Sequence, residues 1–199
     1  MQPLRITGFV IAGMIVAGLS AFAAQTAGTP STAERPRTAA TIIDPSAADS
    51  NGNLHVPADY RTRYQYLGSW AVAAEGKGSK EMHSVYASPG VAAAYSKDGY
   101  FTDGAVIVKE VFETETEEMT TGTVSHVKTL TGWFVMVRDS KDSYPGNKLW
   151  GDGWGWAWFD KSDSKKTTTV DYKSECQTCH IPAKGSEWIY VHGYPSLNR

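Results

Sequence analysis

Ala105-Val106-Ile107-Val108-Lys109-Glu110-Val111-Phe112 reads as a β-strand more strongly than any other stretch of the chain. β-Branched residues dominate it, and apolar side chains occupy both members of the period-two alternation, so both faces are expected to be covered. The same period places Lys109 between Ile107 and Val111, and Glu110 between Val108 and Phe112. The strand is expected to reach Glu115. Asp103-Gly104 precedes it as a turn, and Gly122 separates it from a second strand over 123–130. Thr131-Gly132 reads as a tight turn before a strand over 133–139, and Asp152-Gly153 launches another over 154–160. Upstream, Pro57 at a first-turn position, followed by Tyr60, Tyr64, Leu67 and Val72, predicts a helix over 57–75. A strand over 81–87 follows, then a short helix opened by Ser88-Pro89 and ending near Gly99. Short hairpin connections make the sheet mostly antiparallel. The expected class is α+β: an antiparallel sheet with flanking helices, closed by a C-terminal helical segment that holds both cysteines.

The chain has 199 residues, with 19 Lys+Arg against 21 Asp+Glu, 41% hydrophobic and 20% charged residues. That suits one domain with a real core. A formal charge of −2 excludes an electrostatic nucleic-acid binder, so no nucleic-acid partner is expected. Aromatics reach 12%, with seven Trp, and such residues need a core or a flat ligand to cover them. Two cysteines in one short stretch exclude a disulfide scaffold.

Residues 1–24 read as a secretory signal peptide: Arg5 supplies the positive start, Ile6 to Leu19 the apolar stretch, and Ala21-Phe22-Ala23 the small-x-small cleavage site. The mature protein is accordingly expected in a bacterial periplasm. Residues 25–52, rich in Ala, Thr, Ser and Pro, are expected to be a disordered linker, because they bury too little to offset their ordering entropy. The folded domain is then expected over 53–199.

Cys176-Gln177-Thr178-Cys179-His180 is a C-x-x-C-H sequence, the pattern of c-type haem attachment. Two thiols about one helical turn apart can each add to a haem vinyl group, while the adjacent imidazole comes under the iron. A thioredoxin-like pair would want a βαβ context, and a zinc site a second pair of ligands; neither is present in the pattern. One covalent haem c on Cys176 and Cys179, with His180 as proximal iron ligand, is the expectation. Only 19 residues follow His180, none of them Met, so the usual downstream methionine ligand has no place. Met82, Met119, Met136, His55, His83, His126 and His192 remain as sixth ligands, alongside an open iron site. An open site means binding or chemistry at iron, and a closed one electron transfer.

Lys109 has two readings at this level. Held among Ile107 and Val111 it would lose charge and become nucleophilic; at a strand edge, or paired with a carboxylate, it would be an ordinary lysine.

The folded part resembles the cytochrome P-460 family, including its relative cytochrome c′-beta. The residues that carry the resemblance are Leu54-His55-Val56-Pro57-Ala58-Asp59-Tyr60-Arg61, Leu67-Gly68-Ser69-Trp70, Met82-His83-Ser84-Val85-Tyr86, Phe101 to Glu110, Trp154-Gly155-Trp156, and the haem motif with Glu187-Trp188-Ile189-Tyr190. They span roughly residues 53 to 195. The resemblance implies an antiparallel sheet with helices, a five-coordinate haem and a homodimer. It also implies that Lys109, in the matching Lys-Glu position, faces the haem edge and can be joined to it. The chemistry implied is hydroxylamine oxidation or nitric oxide handling, with electrons passed to another cytochrome. A hydroxylamine oxidase wants a distal proton acceptor, and a gas binder an apolar cap. Phe101, Phe134 and Met136 are available for a cap, and Glu110, Arg138 and Asp139 for polarity.

Trp154-Gly155-Trp156-Ala157-Trp158 puts three indoles on one face and Gly155, Ala157 and Phe159 on the other. The thin face could let a flat haem approach closely; equally, the indoles could pack the sheet on a helix. The run Glu113 to Glu118 reads as a solvated strand end, or as a dock for a basic redox partner. His83 reads as a satisfied structural histidine or a haem-pocket residue.

Overall fold

The computed structural model describes residues 44–198, Lys77 excepted. The expected signal peptide, and the linker as far as residue 43, lie outside the described residues. The expected linker end does not hold for residues 44–52. Ala47 and Ala48 are buried, and Ala48 bridges to Leu54. The Asp44 carboxylate accepts from Ser46, and the Asp49 carboxylate from Asn51 and Asn53, so this polar stretch satisfies its own backbone in Asx turns.

Among the described residues six strands form one antiparallel sheet: β1 Gln65–Ala73, β2 Ser79–Ala87, β3 Val106–Met119, β4 Gly122–Arg138, β5 Trp150–Gly151 and β6 Trp154–Asp160. Their order is β1-β2-β3-β4-β6-β5. Two short helices, α1 (Tyr60–Arg63) and α2 (Val91–Asp98), and a helical C-terminal run complete the α+β fold.

The helix expected over 57–75 is corrected to a single turn followed by an edge strand. Tyr60 and Tyr64 are satisfied by that one turn, and Tyr64 then turns extended, with ψ 151°. From Leu67 onward inward and outward positions alternate, with Trp70 and Val72 turned in and Ser69 and Ala71 exposed. Pairing with β2, from Gln65↔Ala87 to Ala73↔Ser79, outweighs local helix preference. The turn expected at Thr131-Gly132 is corrected as well, since both residues lie inside β4. A side chain at Gly132 would run into the Trp158 indole at 2.6 Å, so this glycine serves close approach, not reversal. Between Val111 and Phe112 the pairing slips by one residue, leaving Thr131 as a bulge whose hydroxyl donates to the Val111 carbonyl at 2.9 Å. Helix α2 ends at left-handed Gly99, as expected. Ser88 does not cap it; its hydroxyl accepts from the Val106 N–H instead.

The sheet has a core on each face. On one, Val106, Val108, Val135, Val137, Ala157 and Phe159 meet the N-terminal segment through Leu54, Val56, Tyr60 and Tyr64. On the other, Val85, Ile107, Met136, Trp154 and Trp156 meet α2 and the C-terminal segment. This is the double coverage expected of β3.

Candidate functional site

The C-x-x-C-H residues lie in a helical run of changing pitch: a π-turn Lys173–Gln177, an α-turn Thr178–His180 and a 3₁₀ stretch Ile181–Ser186. Glu175 opens the run, accepting from the Val170 and Asp171 N–H groups at 2.9 Å each. The chain then reverses through Glu187 and Trp188, both with positive φ (54° and 69°), an uncommon conformation for large side chains. Two contacts hold the reversal. The Glu187 carboxylate accepts from the Phe101 N–H at 2.6 Å and from Arg138 at 2.5 Å. The turn also delivers the Trp188 carbonyl to the His180 ring, where Nδ1–H donates at 2.6 Å. A carbonyl can only accept, so the tautomer is set and Nε2 is left free to ligate. Burial holds the His180 ring below its ordinary pKa, which favours that neutral form.

Between this run and the sheet lies a cavity of about 680 Å³, bordered by Cys176, Cys179 and His180 above and by Val85, Ile107, Lys109, Phe134, Met136 and Trp156 below. That falls within the roughly 300–1,000 Å³ usual for cofactor sites. Both thiols border it, Cys176 buried and Cys179 exposed. Burial pushes the Cys176 thiol up to about 11, the value for a group kept uncharged in an apolar wall. Trp156 stands edge-on to the His180 ring, 5.1 Å between centroids and 84° between planes. Cavity size, paired thiols and an oriented imidazole with a free nitrogen fit a haem.

Lys109 borders the same cavity from β3, as the Ile107–Lys109–Val111 face requires. Its Nζ lies 4.2 Å from the Phe134 ring centroid, and among the described residues no carboxylate comes within ion-pair distance. Burial lowers its pKa, opposed by Cys179, Glu81 and Cys176 in that order. A sulfur bound as a thioether could carry no charge, so neither cysteine would then oppose the burial. Glu110, one residue on, does not reach the cavity. It lies on the opposite face with Tyr60 and Arg61.

Of the other residues considered, Phe134 and Met136 border the cavity. Phe101 is core, stacked on Tyr95 at 4.5 Å. Arg138 is spent on Glu187 and the Gly153 carbonyl, and Asp139 on a loop through Ser143. Among the possible sixth ligands, His83 and Met136 border the cavity. His55 holds the Lys165 carbonyl, His126 pairs with Glu117, and His192 lies against Trp70. Met119, at the end of β3, is exposed. Trp154 and Trp156 face the C-terminal segment while Ala157 and Phe159 face the other core, so indole rather than the thin face meets the haem motif. The acidic run sits on the protruding β3–β4 hairpin, with Glu115 near Lys128 at 3.5 Å and Glu117 near His126 at 2.8 Å. Sequence reasoning missed Glu81, a cavity residue on β2, whose membership follows only from the β2–β3 register.

A sheet whose one face floors a haem-sized cavity, roofed by a C-x-x-C-H helix, defines a cytochrome built on β-structure. The family model described as Cytochrome P460 matches residues 57–191, and the chain belongs to that family. It is therefore a haem c cytochrome. A search among curated proteins gives no match.

Proposed function

We infer that the protein is an exported, periplasmic mono-haem cytochrome that oxidises hydroxylamine at a five-coordinate iron and passes the electrons to another cytochrome, working as a homodimer. Cys176 and Cys179 would hold the haem through two thioethers, and His180 would ligate its iron through Nε2. Bound haem supplies the iron centre that accepts electrons from the nitrogen substrate. The chain's own residues orient that centre: the Trp188 carbonyl and Trp156 fix the imidazole, and Phe134 and Met136 give the cavity apolar surface.

The observation that carries the reading is Lys109. Its amine borders the same cavity as both cysteines and has no carboxylate partner among the described residues. Such an amine spends more time uncharged and could bond to the haem edge, an N–H and a C–H bond giving way to an N–C bond while an external two-electron oxidant takes the electrons and water the protons. The resemblance gives that lysine to the P-460 branch and not to its gas-binding relative. The largely apolar walls favour a second reading, nitric oxide binding without turnover.

Intact mass and a haem-peptide digest of the exported protein test this. One haem on a peptide containing Cys176 and Cys179, also bonded to Lys109, followed by hydroxylamine turnover with an artificial one-electron acceptor, is the expected result. Haem held by the cysteines alone, with nitric oxide binding and no turnover, moves the assignment to the second reading. Absence of haem after expression with a competent maturation system overturns both.

A further inference from the structure

Removing electrons from an N–H or O–H compound releases protons, and an apolar cavity needs a group to accept them and a way out. The cavity floor holds three ionisable side chains, Glu81 and His83 on β2 and Lys109 on β3. The register sets them on one face: Glu81 pairs with Glu113, His83 with Val111, and Val85 with Lys109. His83 and Lys109 are thus diagonal neighbours across the ladder. The His83 Nε2 lies 3.2 Å from the Glu81 carboxylate, and exposure rises along the pair, from 20% at His83 to 43% at Glu81. Nδ1 of His83 makes no hydrogen bond among the described residues.

We propose that His83 accepts the protons of the nitrogen substrate inside the cavity and that Glu81 hands them to solvent. This rests on the reading of the cavity as a hydroxylamine-oxidising site. In each transfer an N–H or O–H bond of the substrate breaks and an N–H bond forms at the free imidazole nitrogen. The Nε2 proton passes to the Glu81 carboxylate and then to water. No electron moves in this step; electrons leave separately to a one-electron acceptor of the cytochrome class.

Burial, and secondarily Lys109, hold His83 below its ordinary pKa, while Glu81 draws it up. Burial persists whether or not Lys109 keeps its charge, so the ring is neutral and able to accept at pH 7. Strand β1 faces it with uncharged Trp70 and Val72, and the helical run contributes Glu175, Cys176, Cys179 and His180 across the cavity.

The test uses cyanide on the ferric, haem-loaded full chain. Near neutral pH cyanide enters as HCN and must give up a proton to bind iron as the anion, so its association rate reports the acceptor without any turnover. His83→Phe should slow association at pH 7 by at least about tenfold and abolish the acid limb of its pH profile. Glu81→Gln, which keeps the ring but removes the group raising its pKa, should move that limb to lower pH. His83→Gln serves if the phenylalanine variant does not retain haem. An unchanged rate and profile in the His83 variants overturns the proposal. So does a six-coordinate low-spin ferric spectrum that becomes high-spin in them, because His83 would then be an iron ligand. Normal cyanide behaviour in the wild type with no hydroxylamine turnover refutes the substrate assignment and leaves the acceptor intact.

Discussion

Lys109 and Glu110 are neighbours in one strand, both charged by type, and point to opposite faces of the sheet. Glu110 is 2% exposed yet fully engaged: Tyr60 donates to it, Arg61 reaches it at 2.6 Å and 2.5 Å, and Trp133 donates to the Tyr60 hydroxyl at 2.9 Å. Lys109 has an aromatic ring, aliphatic neighbours and a cavity. A buried charge that is paired and hydrogen-bonded is part of the architecture, whereas one left without a counter-charge beside an opening is poised for chemistry. The Glu110 side ties α1 to the sheet; the Lys109 side holds the site.

If the two faces divide the work in this way, substitutions should divide too. Replacing Cys176 and Cys179 together by serine should abolish covalent haem entirely, seen as loss of the haem mass and of haem staining on a denaturing gel. No change on the Glu110 face should do so. Lys109→Met should leave haem on the cysteines, remove any lysine-linked haem peptide, shift the visible bands and lower hydroxylamine oxidation by roughly tenfold or more, about 1.4 kcal/mol of barrier. Its stability should equal or exceed that of the wild type, since no carboxylate among the described residues is left unpaired and the methionine keeps contact with the Phe134 ring. Glu110→Gln should do the reverse. Denaturant unfolding should show a loss of about 1–3 kcal/mol from the Tyr60 and Trp133 groups left poorly paired, with the visible spectrum unchanged. Arg61 adds little to that loss because it is half exposed and turns to water.

The smallest effect is a pH dependence. His83 has a folded pKa lowered by burial, so its stability contribution is complete above the unfolded value near 6.5 and is lost as pH falls through the lower folded value. Unfolding of wild type and His83→Phe compared from pH 7.5 to 5 should show the wild type losing more. Equal losses would remove the imidazole from the buried set and weaken the contrast between the faces.

Much of the site was readable in one dimension. Cys176, Cys179 and His180 are a local pattern whose chemistry needs only neighbouring positions on a helix, and the period of Val106 to Phe112 already separates Lys109 from Glu110. Residues 57–75 were misread because a tyrosine spacing of four fits one helical turn as well as five, and pairing with β2 chose the strand. Gly132 was misread because close approach of an indole and a tight turn both ask for a residue without a side chain.

Local chemistry thus specified the haem motif, the doubly covered strand and the α+β class, since each depends on residues a few positions apart. Tertiary packing set the rest. It put Glu81 and His83 in the lining of one cavity with the haem motif, brought the Trp188 carbonyl to His180, and turned the indoles toward the motif. Strand register and chain reversal join residues far apart in sequence, and no local period records which of them will meet.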